Sequence, residues 1–353
     1  MIGVGDSFAG HIIERVLGHG GMGTVYLAKH PRLPRSVALK LLHRELSTDP
    51  AVRRRFEREA DIVAGLEHPG IVGILDRGSH DDQLWISMPF VRGTDAGRLR
   101  TQEVSAQRAT RIVTEIGDAL DYAHAHGVLH RDVKPANILL TEASGGLPER
   151  AVLTDFGIAR LVDSSRVTPA GSVSATLAYA SPEQLLGTTV DERSDQYSLA
   201  CTLYALLAGE PPYRATHPGR VITGHLNQPI PRLAEQRGDL PDELDAVIAR
   251  GAAKKAEDRY PNCHDFATAA RFSLRPLPSV TPIAPFPPTR RTSPALPVVA
   301  PEDEETVVVA AVAPSGEPVT AREVVYWTVL VVAVVGMLLA VWALIGAYSS
   351  AFL

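Results

Sequence analysis

The segment HRDVKPAN, residues 130–137, brings groups of different chemistry close together in the chain. Asp132, Lys134 and Asn137 supply a carboxylate, an ammonium and an amide within six residues, directly after a helical pattern. Pro135 restricts Lys134 to an extended backbone, so these side chains cannot continue the helix. The pattern therefore predicts a polar loop lined by all three side chains.

A second carboxylate follows downstream, in the triplet DFG at residues 155–157. The triplet comes after the apolar, strand-like run Ala151–Leu153. Asp155 and Asn137 together provide the hard oxygen ligands that Mg²⁺ prefers. On its own such a triplet is often a simple turn, but the polar loop just upstream makes a metal site the favoured interpretation.

Three glycines lie between two short β-patterns near the start of the chain. Gly18, Gly20 and Gly23, followed by Val25, give the spacing G-x-G-x-x-G-x-V. Glycine lets backbone N–H groups approach phosphate oxygens without an intervening Cβ. Rossmann turns share this glycine spacing, but there a helix begins at the third glycine. Here residues 24–26 favour a strand, so the spacing predicts a glycine-rich hairpin lid.

The strand-like sequence VALK ends at Lys40. A lone lysine at the end of a strand is usually a solvated surface charge, whereas a lysine inside a cleft needs a fixed anion to orient it. The helical pattern RRRFEREADIVAGL offers Glu59, which shares a face with Ile62, Val63 and Leu66. We therefore expect Glu59 to point inward and to supply that anion.

The elements that must position these residues differ between the two ends of this region. Residues 24–28 and Ser36–Leu42 are short β-favouring stretches. Residues 106–126 have apolar residues at helical spacing, and residues 194–208 are almost wholly apolar and too long for a strand. Strand signals first and helix signals later predict an α+β fold with a small β-rich lobe and a larger helical lobe.

Composition limits the classes of function. The chain has 353 residues, with 35 Lys and Arg against 40 Asp and Glu, a net charge of −5. Because general nucleic-acid binding needs a positive field, a nucleic-acid partner is not expected. The two cysteines, Cys201 and Cys263, are far apart in sequence, so the cysteine count predicts neither a disulfide framework nor a structural zinc site.

The C-terminal part of the chain has a different composition. Eleven prolines fall between residues 276 and 318, so residues 273–320 are expected to form a disordered tether. Residues 324–348 carry no charge, which predicts one transmembrane helix with aromatic residues near both ends. No signal peptide is visible at the N-terminus. The flanking arginines predict a single-pass protein of the cell membrane, with the large domain cytoplasmic and residues 349–353 as a short extracytoplasmic tail.

Taken together, these motifs resemble the eukaryotic-type protein kinases, and the resemblance covers essentially residues 8–271. The glycine lid, VALK, the helical glutamate, HRDVKPAN and DFG occur in the family's order, and SPE at residues 181–183 stands where the family has APE. The sequences GGMGTVYLA, HRDVKPANILL and DFGIAR are similar to bacterial, actinobacterial-type membrane-anchored Ser/Thr kinases. The resemblance implies a bilobal kinase fold with a catalytic domain over residues 8–272.

The resemblance also implies roles in phosphoryl transfer from ATP to protein hydroxyls. Lys40 would hold the α- and β-phosphates and pair with Glu59 in the active state. Asp132 would orient the substrate hydroxyl and accept its proton as catalytic base. Lys134 would approach the γ-phosphate, and a lysine two residues after the aspartate is the Ser/Thr-kinase pattern.

The metal and nucleotide sites follow from the same resemblance. Asn137 and Asp155 would bind Mg²⁺, with Mn²⁺ as an alternative. The residues implied to contact ATP are Leu17, Gly18, Gly20, Gly23, Val25, Ala38, Lys40, Met88, Pro89 and Val91. Pro89 departs from the acidic residue that relatives often carry in the hinge. A carbonyl acceptor at Pro89 and an N–H donor at Val91 still allow adenine binding, with Met88 as gatekeeper.

The family pattern also assigns residues around the activation segment. Glu183 and Arg259 would form a buried ion pair, and Thr176 matches a threonine that bridges Asp132 and Lys134. An arginine before the catalytic aspartate, here at position 131, binds a phosphorylated activation loop in such kinases. The candidate phosphorylation sites are Thr168, Ser172 and Ser174.

Partners are expected to be protein substrates, the membrane and, through the small lobe, a second copy of the chain. Leu33 and Asp76 occupy the positions through which relatives dimerise. Thr306, after four acidic residues, is a candidate phosphosite for an FHA-type phosphothreonine reader, although acidic runs more often keep a linker soluble. The alternative functions are a pseudokinase scaffold, which would need loss of a catalytic residue, and a small-molecule phosphotransferase, which would not need the activation-segment signature.

Overall fold

Six strands near the N-terminus form one antiparallel sheet in the computed structural model, which describes residues 2–21, 23–101, 104–156 and 177–275. The strands are β1 (Ser7–Phe8), β2 (His11–Gly20), β3 (Gly23–Lys29), β4 (Ser36–Leu42), β5 (Asp76–His80) and β6 (Gln83–Pro89). Their order across the sheet is β1-β2-β3-β4-β6-β5. The strands predicted at residues 24–28 and Ser36–Leu42 are confirmed.

Alternation along β4 gives the sheet two different faces. Val37, Leu39 and Leu41 are buried in a core on one face. The intervening residues Ala38 and Lys40 point to the opposite face and are only half-buried. The first face therefore stabilises the sheet, and the second is available for a cleft.

Helix α2 (Pro50–Ala64) packs beside this sheet and follows the short helix α1 (Arg44–Ser47). Asp49 caps α2 by accepting a hydrogen bond from the N–H of Ala51. The buried residues of α2 are Phe56, Ala60 and Val63, spaced as one helical face. Phe56 and Ala60 join the core that lies on the cleft side of the sheet.

The prediction for the inward face of α2 needs a correction. Val63 and Leu66 are buried as expected, but Ile62 is 39% exposed and Glu59 is half-buried. The buried face is centred on Phe56, Ala60 and Val63, so Glu59 lies at its edge. Tertiary packing of the aromatic ring of Phe56 sets the rotation of the helix, which apolar periodicity alone predicts only to within about one residue position.

The larger part of the described chain is helical. Its helices are α3 (Ala106–Ala125), α4 (Pro182–Leu186), α5 (Glu192–Ala208), α6 (Pro218–Asn227), α7 (Asp242–Gly251) and α8 (Cys263–Ser273). Ile112, Ile116, Leu120 and Ala123 of α3 are fully buried in one core with α5. The predicted buried face of α3 and the predicted buried helix at residues 194–208 are both confirmed. The small β-rich part and the helical part together match the predicted protein-kinase fold.

A small three-stranded sheet brings the two polar motifs together. Its strands are β7 (Gly93–Asp95), β8 (Ile138–Thr141) and β9 (Ala151–Leu153), in that order. Since β8 and β9 are antiparallel and Ile138 pairs with Leu153, the residues just before β8 lie beside those just after β9. This register places residues 130–137 next to Asp155.

These elements belong to one compact unit, Met1–Ser279. Within the described ranges no helix combines the length and the apolar character needed to cross a membrane. The predicted tether and membrane span lie outside those ranges, and the predicted domain boundaries stay predictions.

Candidate active site

The glycine-rich lid is the hairpin between β2 and β3, as predicted. Its glycines differ in how much space surrounds them. Gly18 and Gly20 have open space where a Cβ would lie: nothing is within 4 Å of Gly18, and the nearest atom to Gly20 is at 3.8 Å. A Cβ on Gly23 would instead lie 1.9 Å from the carbonyl oxygen of Leu41 in the neighbouring strand. The first two glycines therefore leave room for a ligand, whereas Gly23 is required by strand packing.

The residues predicted to contact ATP line the cleft face of the sheet. Across β4, Val25 is opposite Lys40, and Ala38 is opposite Met88. Met88 is buried and Val25 is half-buried. At the margin of the cleft face, Leu17 and Val91 are half-buried, while Pro89 ends β6 and is exposed.

Lys40 makes its ion pair with the DFG aspartate. Its Nζ lies 2.7 Å from Oδ1 of Asp155, and the two side chains are 16% and 33% exposed. Burial disfavours the charged carboxylate, but the nearby ammonium holds the pKa of Asp155 below its ordinary value. The pair thus joins the sheet of the small lobe to the segment that follows β9.

The predicted pairing of Lys40 with Glu59 is not formed in this structure. The Glu59 side chain makes no hydrogen bond or ion pair with any residue that the structure describes. An apolar cavity lined by Phe56, Val63 and Phe156 lies behind Lys40, on the side where α2 packs. The physical reason is that Asp155 lies within hydrogen-bond distance of Lys40 and neutralises it, while Glu59 stays at the half-buried edge of α2.

The predicted polar loop is a hydrogen-bonded cluster around Asp132. Its Oδ2 accepts hydrogen bonds from Lys134 Nζ at 2.7 Å and from Asn137 Nδ2 at 3.0 Å. The Asn137 amide also donates to the backbone oxygen of Asp132 at 2.8 Å. Within the described residues Asp132 Oδ1 accepts no hydrogen bond, so this oxygen remains available to a ligand.

A buried carboxylate, that of Asp195, fixes the backbone of this loop. Its two oxygens accept the backbone N–H groups of His130 at 2.8 Å and of Arg131 at 2.7 Å. Arg131 has a φ of 64°, in the left-handed region, so the two N–H donors hold a conformation that a non-glycine residue rarely adopts. Asp195 also accepts a hydrogen bond from His124 Nε2 at 2.8 Å.

Neither Asp195 nor His124 was assigned to the site from the sequence. A signal was present, because His124 lies four residues after Leu120 on the buried face of α3. Its contact with Asp195 joins helices distant in sequence, which periodicity does not show.

His130 links the loop to the DFG segment. Its ring is fully buried, and Nε2 lies 3.0 Å from the backbone oxygen of Thr154. The ring also packs on Phe156, with 4.7 Å between the two ring centroids. The backbone N–H of Thr154 in turn donates to the oxygen of Asn137 at 3.0 Å. These contacts fix Asn137 and Asp155 relative to each other.

The predicted ion pair between Glu183 and Arg259 is confirmed. The two side chains make a bidentate contact at 2.7 and 2.9 Å, and Ser194 Oγ donates a further hydrogen bond to Glu183. Burial would raise the pKa of Glu183, but Arg259 and Ser194 lower it to about 2. The pair ties α4, which follows the activation segment, to the loop before α8.

The oxygen atoms present suit a hard divalent cation. Asn137 uses its Nδ2 as a donor, so its Oδ1 faces no hydrogen-bond donor within the described residues. Asp155 uses Oδ1 for Lys40, and its Oδ2 likewise accepts no hydrogen bond in the described part of the chain. One carboxylate oxygen and one amide oxygen with free lone pairs fit the ligand preferences of Mg²⁺.

Several predicted residues lie outside the described ranges. They are Gly157, Thr168, Ser172, Ser174, Thr176 and Thr306. Leu33 is 48% exposed and Asp76 is exposed, on the small lobe.

Comparison with known proteins gives concordant matches over the region that contains this site. The protein kinase domain family matches residues 11–272. The Ser/Thr-protein kinase PknJ of Mycobacterium tuberculosis is 50% identical over 276 residues, which cover 77% of this chain and 47% of that protein. PknF of the same organism is 48% identical and covers 76% of this chain and 57% of that protein. The chain therefore spans about half the length of the curated relatives that it matches.

Solved structures give the same result for the fold. The kinase domain of M. tuberculosis PknI superposes with a TM-score of 0.61 at 38% identity, covering 77% of this chain and all of that one. A double mutant of that domain gives a TM-score of 0.64 at 39% identity.

Proposed function

The chain belongs to the protein kinase domain family, and we propose that it transfers the γ-phosphate of ATP to serine and threonine hydroxyls of proteins. One observation carries the proposal. Asp132, Lys134 and Asn137 form a single hydrogen-bonded cluster beside Asp155 and Lys40, so the groups that phosphoryl transfer requires share one cleft.

Asp132 is proposed as the catalytic base. Lys134 and Asn137 both donate to Oδ2, which orients the carboxylate and leaves Oδ1 to accept the proton of a substrate hydroxyl. Lys134 then lies within reach of the transferred phosphoryl group. A lysine at this position favours serine and threonine over tyrosine as acceptors.

Lys40 is proposed to bind the α- and β-phosphates, and Asn137 and Asp155 to hold Mg²⁺ or Mn²⁺. A divalent cation bound there would neutralise negative charge on the phosphates. In this structure Lys40 neutralises Asp155 at 2.7 Å. Since nucleotide phosphates offer Lys40 another anion, we propose that Lys40 leaves Asp155 on nucleotide binding and can then pair with Glu59.

The decisive experiment is incorporation of ³²P from [γ-³²P]ATP by the purified full chain, with Asp155→Asn as the control variant. The proposal expects phosphoserine and phosphothreonine in the wild type and none in the variant. Nucleotide binding without incorporation would instead support the pseudokinase scaffold. Transfer only to small molecules would support the third alternative, a small-molecule phosphotransferase.

We propose further that residues 324–348 anchor the chain in the cell membrane, with the kinase domain cytoplasmic. The uncharged run of 25 residues and the proline-rich segment before it support this. Fractionation of cells expressing the full chain and a variant ending at residue 320 tests the anchor. Membrane association that persists in the truncated variant would contradict it.

Regulation by phosphorylation is proposed at Thr168, Ser172 or Ser174 in the activation segment. The arginine before Asp132 supplies a guanidinium that pairs with phosphate. Mass spectrometry of the purified chain tests this, and phosphate found only outside residues 155–183 would contradict it. An FHA-type reader at Thr306 and a homodimer through the small lobe near Leu33 and Asp76 are proposed partners.

A further inference from the structure

A second group of potential metal ligands lies on α3 beside its buried apolar face. Gly117, Asp121 and His124 are spaced four and three residues apart, so they share one face of α3. This face meets Cys263, the first residue of α8. A Cβ on Gly117 would lie 3.1 Å from the Cys263 carbonyl oxygen, so the glycine allows the two helices to approach closely.

Three ligand atoms converge at this contact. An oxygen of Asp121, a ring nitrogen of His124 and the sulfur of Cys263 all lie within 4.8 Å of one another. Cys263 is fully buried as a free thiol, whereas the Asp121 side chain is 26% exposed. The group is therefore enclosed, with an access route from solvent along Asp121.

The inner ring nitrogen of His124 has no hydrogen-bond partner. The His124 side chain is only 8% exposed, and its Nδ1 is buried without a hydrogen bond. The nearest carboxylate oxygen, Asp121 Oδ1, is 3.8 Å away, beyond hydrogen-bond distance. Because buried polar atoms normally make hydrogen bonds, a buried nitrogen that has no hydrogen bond and only this long ion pair with Asp121, close to the Cys263 thiol, points to a missing ligand.

We propose that Asp121, His124 and Cys263 form a binding site for a zinc-like divalent cation, separate from the nucleotide cleft. Thiolate, imidazole and carboxylate are the three ligand types of Zn²⁺, and three protein ligands leave the fourth position to water. The other ring nitrogen of His124 bonds to Asp195 at 2.8 Å. A histidine that contacts a carboxylate through its second nitrogen is the arrangement that orients zinc ligands in proteins.

The rest of the site is compatible with this ligand set. Asp121 accepts the backbone N–H groups of Cys263 at 3.0 Å and His264 at 2.9 Å, and each carboxylate oxygen keeps a further lone pair for a cation. Ligand atoms around tetrahedral zinc are about 3.5 Å apart. The three ligand atoms here lie within 4.8 Å of one another, so side-chain rotations that move them by about 1 Å would complete the site. A low cysteine count argues against a cysteine-rich zinc site, but it does not bear on a mixed site with one thiolate.

Binding must release protons. Burial raises the pKa of the Cys263 thiol, and the charges of Asp121 and Asp195 add to this, so the metal-free thiol is protonated. Formation of the metal–sulfur bond sends this proton to solvent, and any proton on His124 Nδ1 leaves in the same way.

The site contacts the catalytic loop through Asp195. His124 would bind the cation through Nδ1 and Asp195 through Nε2, and Asp195 holds the N–H groups of His130 and Arg131. His124 and Asp195 are thus positioning residues, and the cation would lie two side chains from the backbone that carries Asp132.

The test uses the full chain, freed of metal with a chelator and kept reduced, and Co²⁺ as a spectroscopic probe. The proposal expects one Co²⁺ per chain with a thiolate-to-cobalt charge-transfer band, and displacement of Co²⁺ by Zn²⁺. In Cys263→Ala the band disappears, and Zn²⁺ affinity falls by more than the roughly 10- to 100-fold that loss of an outer-shell partner costs.

Cys201→Ala is the matched control, because Cys201 is the other buried free thiol and lies outside the group. It keeps the band and the affinity of the wild type. Asp121→Asn keeps the band but binds Zn²⁺ more weakly, and it decides the question if Cys263→Ala does not fold. Absence of the band in the wild type, or equal Zn²⁺ affinity in the wild type and both ligand variants, would overturn the proposal.

Discussion

Substitution of alanine at Gly23 and at Gly20 gives a matched pair in the same hairpin. A Cβ at position 23 would lie 1.9 Å from the Leu41 carbonyl oxygen, about 1.5 Å closer than ordinary van der Waals contact. Relief of this contact requires β3 and β4 to separate by about a third of the normal strand spacing of about 4.8 Å. At position 20 the nearest atom is 3.8 Å away, and no movement is needed.

The expected cost follows from these distances. Overpacking costs about 1–3 kcal/mol, and loss of a ladder hydrogen bond adds about 1 kcal/mol. We expect Gly23→Ala to lower the free energy of unfolding by about 2–4 kcal/mol, which lowers Tm by about 4–7 °C for a domain of this size. Gly20→Ala should change the free energy of unfolding by less than about 1 kcal/mol.

Thermal unfolding of both variants by circular dichroism measures this difference, with ATP kinetics as a second readout. Gly20→Ala should raise KM for ATP at nearly unchanged Tm, because its methyl group would lie in open space at the tip of the glycine-rich hairpin, where the phosphates are expected to bind. Tm values within about 2 °C of each other would refute the assignment of Gly23 to strand packing and Gly20 to the ligand.

Three further predictions concern charged groups. Glu183→Gln removes the bidentate pair with Arg259 and should cost about 3 kcal/mol near neutral pH. Because the folded-state pKa is lowered to about 2 from 4.5, this contribution is complete above pH 4.5 and is lost as pH falls toward 2, so urea unfolding of variant and wild type should converge in acid. Asp195→Asn replaces one of the two acceptors of the loop N–H groups by a donor, and kcat should fall with little change in nucleotide affinity measured by calorimetry. Lys40→Met should reduce ³²P incorporation about 10²-fold or more, while the circular dichroism spectrum stays that of the wild type. A much smaller reduction in ³²P incorporation would mean that Lys40 serves only to neutralise Asp155.

The sequence predicted the parts of the site that depend on local pattern. The hairpin at Gly18–Gly23 follows from β-favouring residues after the third glycine. The loop at Asp132 follows from Pro135, which keeps Lys134 extended and begins a single 3-10 turn, Pro135–Asn137. The buried helices follow from apolar spacing. The pairing of Glu183 with Arg259 came from the family resemblance rather than from any local pattern.

The features that sequence did not predict depend on packing between distant elements. Apolar spacing gave the inward face of α2 only approximately, because Phe56 sets its rotation and leaves Ile62 exposed. Whether Lys40 pairs with Glu59 or with Asp155 depends on the distance between α2 and the sheet. Local sequence patterns do not predict that distance. The contact between His124 and Asp195 joins residues 71 positions apart.

Phosphoryl transfer by Asp132→Asn, compared with the wild type at equal ATP occupancy, tests the central claim most directly. Asparagine keeps the shape of the side chain and the hydrogen-bond acceptor but cannot take up a proton at Oδ1. We expect ³²P incorporation to fall by about 10²–10⁴-fold while nucleotide affinity and Tm stay unchanged. Residual activity within about tenfold of the wild type would contradict the assignment of Asp132 as catalytic base, because general-base catalysis contributes at least about 10²-fold.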